Sequence, residues 1–208
     1  MKKLQSGFTL VEIAIVLVII GLLLGGVLKG QSMIESAKIR NVSNDLNAVQ
    51  TAFYAYQDRY KATPGDDPAA QTHFGAGVTN GGGDGVIAGV YTLAVPALTG
   101  ESSNFWQHVR SAGFMKGDGA SGVPPVAATG GIMGVEAAPL GLTGTAVCVS
   151  VDSTYAQGID AAMDDGVATT GDVRASAAYT TINGASGSVA DYAAPDPTKP
   201  YVTLCRKI

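Results

Sequence analysis

The pattern of hydrophobic and polar positions divides this chain near its start. The leader MKKLQSG is basic and polar, and from Phe8 to Leu28 the sequence is apolar with Glu12 as its only charge. As a helix this run of about 21 residues would be about 31 Å long, the thickness of a bilayer core. Beyond Leu28 the pattern turns amphipathic. Ile39, Val42, Leu46, Val49, Phe53, Tyr56 and Tyr60 alternate at spacings of three and four, with Lys38, Arg40, Asn44, Asp45, Asn47 and Asp58 between them. Such spacing lines one helix face. No proline occurs before Pro64, so one helix is predicted from Phe8 to about Tyr60, with its second-half stripe as a core seam. Gly21/Gly25 and Gly26/Gly30 have the small-xxx-small spacing that lets helices approach closely. Each glycine also lowers helicity by about 1 kcal/mol relative to alanine.

Residues 61–208 read as one small domain. Strands are predicted at 90–95, 146–151 and 201–205 from their alternating or β-branched character. Two short helices are predicted. One, over 103–115, has serines suited to its N-cap and places Phe105, Trp106, Val109 and Ala112 on one side. The other, over 153–165, aligns Tyr155, Ile159 and Met163, with Gly166 positioned to close it. The glycine-rich tracts 75–85 and 117–134 read as mobile or exposed loops. The fold class is therefore α+β, a long helix followed by a small sheet-containing head.

Charge narrows the function classes. Residues 61–208 carry seven basic and thirteen acidic side chains, a formal charge of −6. That balance gives no general electrostatic case for nucleic-acid binding. His73 is expected in a loop beside Phe74, and His108 as a surface or packing residue of the first short helix. No nucleophile elbow, H-E-x-x-H pair or phosphate loop is present, and no enzymatic activity is expected. Acidic loops offer weak calcium candidates, since hard oxygens suit that ion. These are Asn80 with Asp84, Asp66 with Asp67, and Asp160 with Asp164 and Asp165. None has EF-hand spacing, and solvated turn acids with a helix-ending Asp-Asp-Gly are the favoured account.

The lone acid of the apolar run is the most informative residue. A carboxylate near a bilayer interior costs roughly 2.5–3.5 kcal/mol. A secretory signal would have a shorter apolar run and a small-residue cleavage site. A plain anchor fits the length, with Lys2 and Lys3 holding the N-terminus cytoplasmic, but leaves Glu12 unexplained. The string Gly7-Phe8-Thr9-Leu10-Val11-Glu12, after a basic leader and before an unbroken apolar helix, resembles the prepilin signature of type IV pilins and type II secretion pseudopilins.

The resemblance implies cleavage by a prepilin peptidase between Gly7 and Phe8, with N-methylation of the new N-terminal Phe8. It also implies assembly in which Glu12 pairs with the amine of a neighbouring subunit. Each charge is costly alone in apolar surroundings, and the two are less so together. The strings 60–68, Phe105-Trp106-Gln107-His108 with Ala112-Gly113, and 160–166 followed by Thr170-Gly171 resemble recurring strings of pseudopilin-like proteins. They favour the loosely grouped prepilin-type proteins over a well-studied major pilin. Residues 21–30 lack the proline that many type IV pilins carry there, so melting of the helix in a filament stays open.

The implied organisation is a leader (1–7), a transmembrane and assembly helix (8–28), an amphipathic continuation (29–60) and a pilin-like head (61–208). Implied partners are copies of the chain, other pilin-like subunits, the prepilin peptidase, and an inner-membrane assembly platform driven by a separate ATPase. The implied location is the bacterial inner membrane with a periplasmic head, then a surface pilus or periplasmic pseudopilus. Two alternatives stand beside a main structural subunit. One is a minor or tip subunit whose head binds a surface, DNA or secreted substrate, and the other is a membrane-tethered periplasmic module that never polymerises. The only cysteines, Cys148 and Cys205, lie in predicted strands. Export to an oxidising compartment and the resemblance both favour a disulfide, against the alternative of two free thiols.

Overall fold

A computed structural model describes residues 9–89, 100–178, 189–192 and 197–208. The expected cleavage and methylation positions, Gly7 and Phe8, and the expected strand at 90–95 lie outside the described residues. The chain forms two compact units, Met1–Ala37 and Lys38–Ile208.

Helix α1 spans Leu10–Tyr60. In the first unit its apolar run is exposed throughout, and it is long and apolar enough to cross a membrane. In the second unit the seam is buried as its spacing predicts: Val42, Leu46, Val49, Phe53 and Tyr56 are core residues. Ile39 and Tyr60 are half-buried at the seam's ends. α1 stops where Lys61 turns left-handed (φ 53°), three residues before Pro64.

The head contains a four-stranded sheet in the order β1-β2-β4-β3, antiparallel throughout. Its strands are β1 (Met133–Ala137), β2 (Thr145–Asp152), β3 (Val173–Ala175) and β4 (Tyr201–Lys207). Successive side chains alternate between faces. Val147, Val149, Val151, Val202 and Leu204 join the α1 seam, Phe105 and Trp106 in the main core. Ala146, Cys148 and Cys205 form a satellite cluster with Leu140 and Leu142. Cys148 and Cys205 face each other across β2 and β4 and form a disulfide, so neither thiol is free. A long apolar N-terminal helix with a small antiparallel sheet is the pilin-like α+β layout.

Several local expectations need correction. Helix α3 is Glu101–Ser111, and its N-cap is Gly100 rather than a serine. The carbonyl of Ala88 accepts from the Glu101 and Ser102 amides and replaces a side-chain cap. α3 ends four residues earlier than expected because Gly113 (φ 78°) turns the chain. The Gly113 amide then bonds the Arg110 carbonyl and the Phe114 amide that of Val109, the Schellman arrangement. Helix α4 is Ser153–Met163, capped by Asp152, whose carboxylate accepts from the Thr154 amide at 2.9 Å. Its C-cap is Asp164, so Gly166 lies beyond the helix rather than closing it. His73 belongs to a one-turn helix, α2 (Ala70–Phe74), not a loop. The tract 117–134 ends inside β1, with Gly134 paired to Cys148.

Tight packing also reaches the glycines. A Cβ on Gly131 would sit 1.8 Å from the Ser150 carbonyl oxygen on β2. That contact is backbone on both sides, so neither partner can swing away. Gly131→Ala is expected to cost about 3 kcal/mol or more, at the upper end of overpacking penalties. A thermal melt matching the unsubstituted chain would contradict this packing.

Candidate functional site

In the first unit, Thr9 precedes α1 and Glu12 is its third residue. The Glu12 Oε2 accepts from the Thr9 amide and the Thr9 hydroxyl, both at 2.8 Å. The Glu12 amide in turn reaches the Thr9 Oγ1 at 3.3 Å. This T-x-x-E reciprocity is a capping box, which satisfies helix-start donors that have no intrahelical partner. Both Thr9 donors fall on the same carboxylate oxygen. Oε1 has no hydrogen-bond partner among the described residues. The box therefore fixes the carboxylate while leaving one oxygen for a cation from outside.

The second polar centre lies in the head, around the string Phe105-Trp106-Gln107-His108. Phe105 and Trp106 enter the core, while Gln107 and His108, also buried, turn to the glycine tracts. Gln107 donates to the Gly77 and Ala120 carbonyls and accepts from the Thr79 amide, bridging both tracts. Ser103, Arg110 and Ser111 donate to the carbonyls of Gly122, Ser121 and Gly119. The tracts, expected as mobile or exposed loops, are exposed or half-buried over most of their length and at the same time laced to α3. Long segments without their own ladder must place their buried amides and carbonyls somewhere, and this requirement was the missed signal for Gln107.

His108 is fully buried. Its Nδ1 accepts from the Gly65 amide at 2.9 Å, which leaves Nε2–H to donate to the Thr79 carbonyl at 2.7 Å. Burial pushes its pKa down, against the Thr79 bond and the Asp67 charge, which favour the imidazolium. The fold therefore holds His108 neutral, and the unfolded chain binds the extra proton first. Its contribution to stability is present above about pH 6.5 and is lost as the pH falls below that value. Melting temperature is expected to drop on acidification below about pH 6.5, before carboxylates titrate. His108→Gln, which keeps a donor and an acceptor, should flatten that step. An unchanged acid step in this variant would contradict the assignment.

Asp67 is buried beside this histidine. Its Oδ2 accepts from the Tyr56 hydroxyl at 2.7 Å and pairs with His73 Nδ1 at 3.0 Å, while Oδ1 takes the Ala69 amide. Burial alone would raise its pKa, but the Tyr56, Ala69 and His73 interactions outweigh it and hold the carboxyl below the usual range. Burial pushes the Tyr56 phenol up.

The acidic candidates separate into two groups. Asp84 lies with Asp66 and Glu101, and the Asn80 Oδ1 accepts from the Gln71 amide. Asp66 accepts from the amides of Gly83, Asp84 and Gly85, and Glu101 from those of Gly82 and Ala88. These inward amides form a nest whose anions are the chain's own carboxylates. Asp160, Asp164 and Asp165 are brought together, with ligand atoms within 4.8 Å of one another. Asp160 accepts from Tyr192 and the Gly166 amide, Asp164 from the Asp172 and Val173 amides, and Asp165 from Thr170 and the Val167 amide. Burial, then the neighbouring acids, push the Asp160 carboxyl up against the Tyr192 and Gly166 bonds. The bonds of this second group order the loop that follows α4.

The prokaryotic N-terminal methylation motif matches residues 2–28, the segment that contains the Thr9–Glu12 box. The chain carries the type IV pilin and pseudopilin signature. Proteins with this signature are structural rather than enzymatic, and the signature implies other pilin subunits and a prepilin peptidase as partners. The signature and the apolar helix together fit membrane anchoring. No curated protein and no solved structure matches the chain.

Proposed function

We propose that this chain is a filament-forming subunit of a type IV pilus or type II secretion pseudopilus. In this reading it is cut between Gly7 and Phe8, methylated at Phe8 and polymerised through its N-terminal helix. The observation that carries the reading is the Thr9–Glu12 box at the start of an exposed apolar helix, inside the methylation motif. Cleavage creates a cationic amine at Phe8, and the open Oε1 of a neighbour's Glu12 is its counter-charge. The apolar residues 10–28, exposed in the single chain, exchange lipid for copies of themselves. Lipid is as apolar as the bundle, so close packing and the Phe8–Glu12 charge pair favour the assembled helices. The inner-membrane platform and its separate ATPase supply the extraction work, and the head stays periplasmic until export or retention in a short pseudopilus.

Photo-crosslinking separates a polymer from a tether. A photoreactive residue at Leu17, which is 64 % exposed, should yield a ladder of oligomers in envelopes of the native host. Crosslinks only to lipid or to unrelated proteins would overturn polymerisation.

A further inference from the structure

The end of α1, the turn that follows it and α2 wall an open pocket of about 620 Å³. That volume falls in the range of small-molecule sites. Its walls include Gln57, Tyr60, Lys61, Thr63 and His73, with Gly83 and Gly85 of the first glycine tract. The pocket lies wholly in the head, so its use does not require that the chain polymerise.

The chemistry of the lining excludes most ligand classes in turn. Asp66 and Asp67 border the pocket, but both oxygens of each already accept hydrogen bonds from the chain, so they make a poor metal cage. The Gly83 and Gly85 amides, which would otherwise cradle an anion, are committed to Asp66. Lys61 pairs with Asp58 at 3.0 Å in solvent, so it supplies no focused positive charge. Beyond the Tyr60 ring, apolar lining comes from the small side chains of Ala62, Pro68 and Ala69, too short a surface for a lipid tail.

Neutral hydrogen-bonding groups and aromatic edges remain. The Gln57 amide meets the Thr63 hydroxyl only at 3.4 Å, the longest side-chain bond around the pocket. His73 gives Nδ1 to Asp67, which leaves Nε2 for a ligand. Tyr60 is locked by Tyr56 at 4.7 Å, His73 at 4.8 Å and Phe74 at 5.1 Å, so the aromatic wall is already ordered. Pre-ordered walls reduce the entropic cost of binding. We infer that this pocket binds a neutral, hydroxyl-rich ring ligand of the chemical class of a short saccharide.

The test is an amide-resolved NMR titration of the full chain in a detergent that carries no sugar headgroup. Maltose, cellobiose, lactose and di-N-acetylchitobiose are the probes, with phosphate and calcium chloride as contrasting ligands. At least one disaccharide should give saturable shifts at Thr63, His73, Gly83 and Gly85. Gln57→Ala and Thr63→Val should each weaken that binding by about tenfold, the effect of one lost hydrogen-bonding partner, while the remaining amide spectrum shows the fold intact. Absence of saturable shifts with all four sugars would overturn the inference. So would shifts at these residues with phosphate or calcium alone, or binding unchanged in both variants.

Discussion

With Cys148 and Cys205 both replaced by serine, the head is expected to lose roughly 4 kcal/mol of stability. The two cysteines are 57 residues apart, and closing a loop of that length raises the free energy of the unfolded chain by about this much on the entropy model. A domain of this size has only about 5–15 kcal/mol to lose, so the bridge accounts for a large share. Its position adds to the effect. It joins the two central strands directly opposite one another, beneath Leu140 and Leu142. Urea denaturation of the oxidised chain, the chain under reductant and the double-serine variant checks this. The reduced chain and the variant should share one lowered midpoint. A midpoint equal to that of the oxidised chain would show that the bridge carries no stability.

Glu12→Ala should leave membrane insertion intact and nearly abolish incorporation into filaments. Alanine removes a costly carboxylate from the apolar helix, so the lone subunit sits in lipid at least as well. The loss falls on the assembled state, where the Phe8 amine of a neighbour would be buried without its counter-charge. Breaking one partner of such a pair costs about 3 kcal/mol or more, over a hundredfold in a binding equilibrium. Alanine also dissolves the capping box, worth about 1 kcal/mol at the helix start. Glu12→Gln separates the two effects, because its side-chain oxygen still accepts from Thr9 but carries no charge. Quantifying each variant in sheared-filament and membrane fractions gives the comparison. Both should remain in the membrane, and Gln assembling as well as Glu would remove the charge pair from the account.

The long-range layout was legible because it rests on periodicity. The seam from Ile39 to Tyr60 and the strands around Cys148 and Cys205 repeat at the spacing of the elements they form. The signature at 7–12 was legible because it is local and contiguous. What escaped was set by partners far apart in sequence. β1 carries a glycine at 134 and β3 has only three residues, so neither shows a usable alternation. The start of α3 depends on the Ala88 carbonyl, and its serines lie one and two residues inside the helix. Gln107 and His108 looked like ordinary helix polar residues, since their partners lie in tracts whose composition alone reads as loop. The Thr9–Glu12 box is written in the sequence as a T-x-x-E string before an apolar run.

The central claim is that the chain is processed and built into a filament. It is tested most directly by mass spectrometry of surface or envelope filaments sheared from the native host. The account predicts that filament-borne chain begins at Phe8 and carries a methyl group on that residue's amine. Chain that still begins at Met1, or mature chain found only in the membrane and never in filaments, would contradict it.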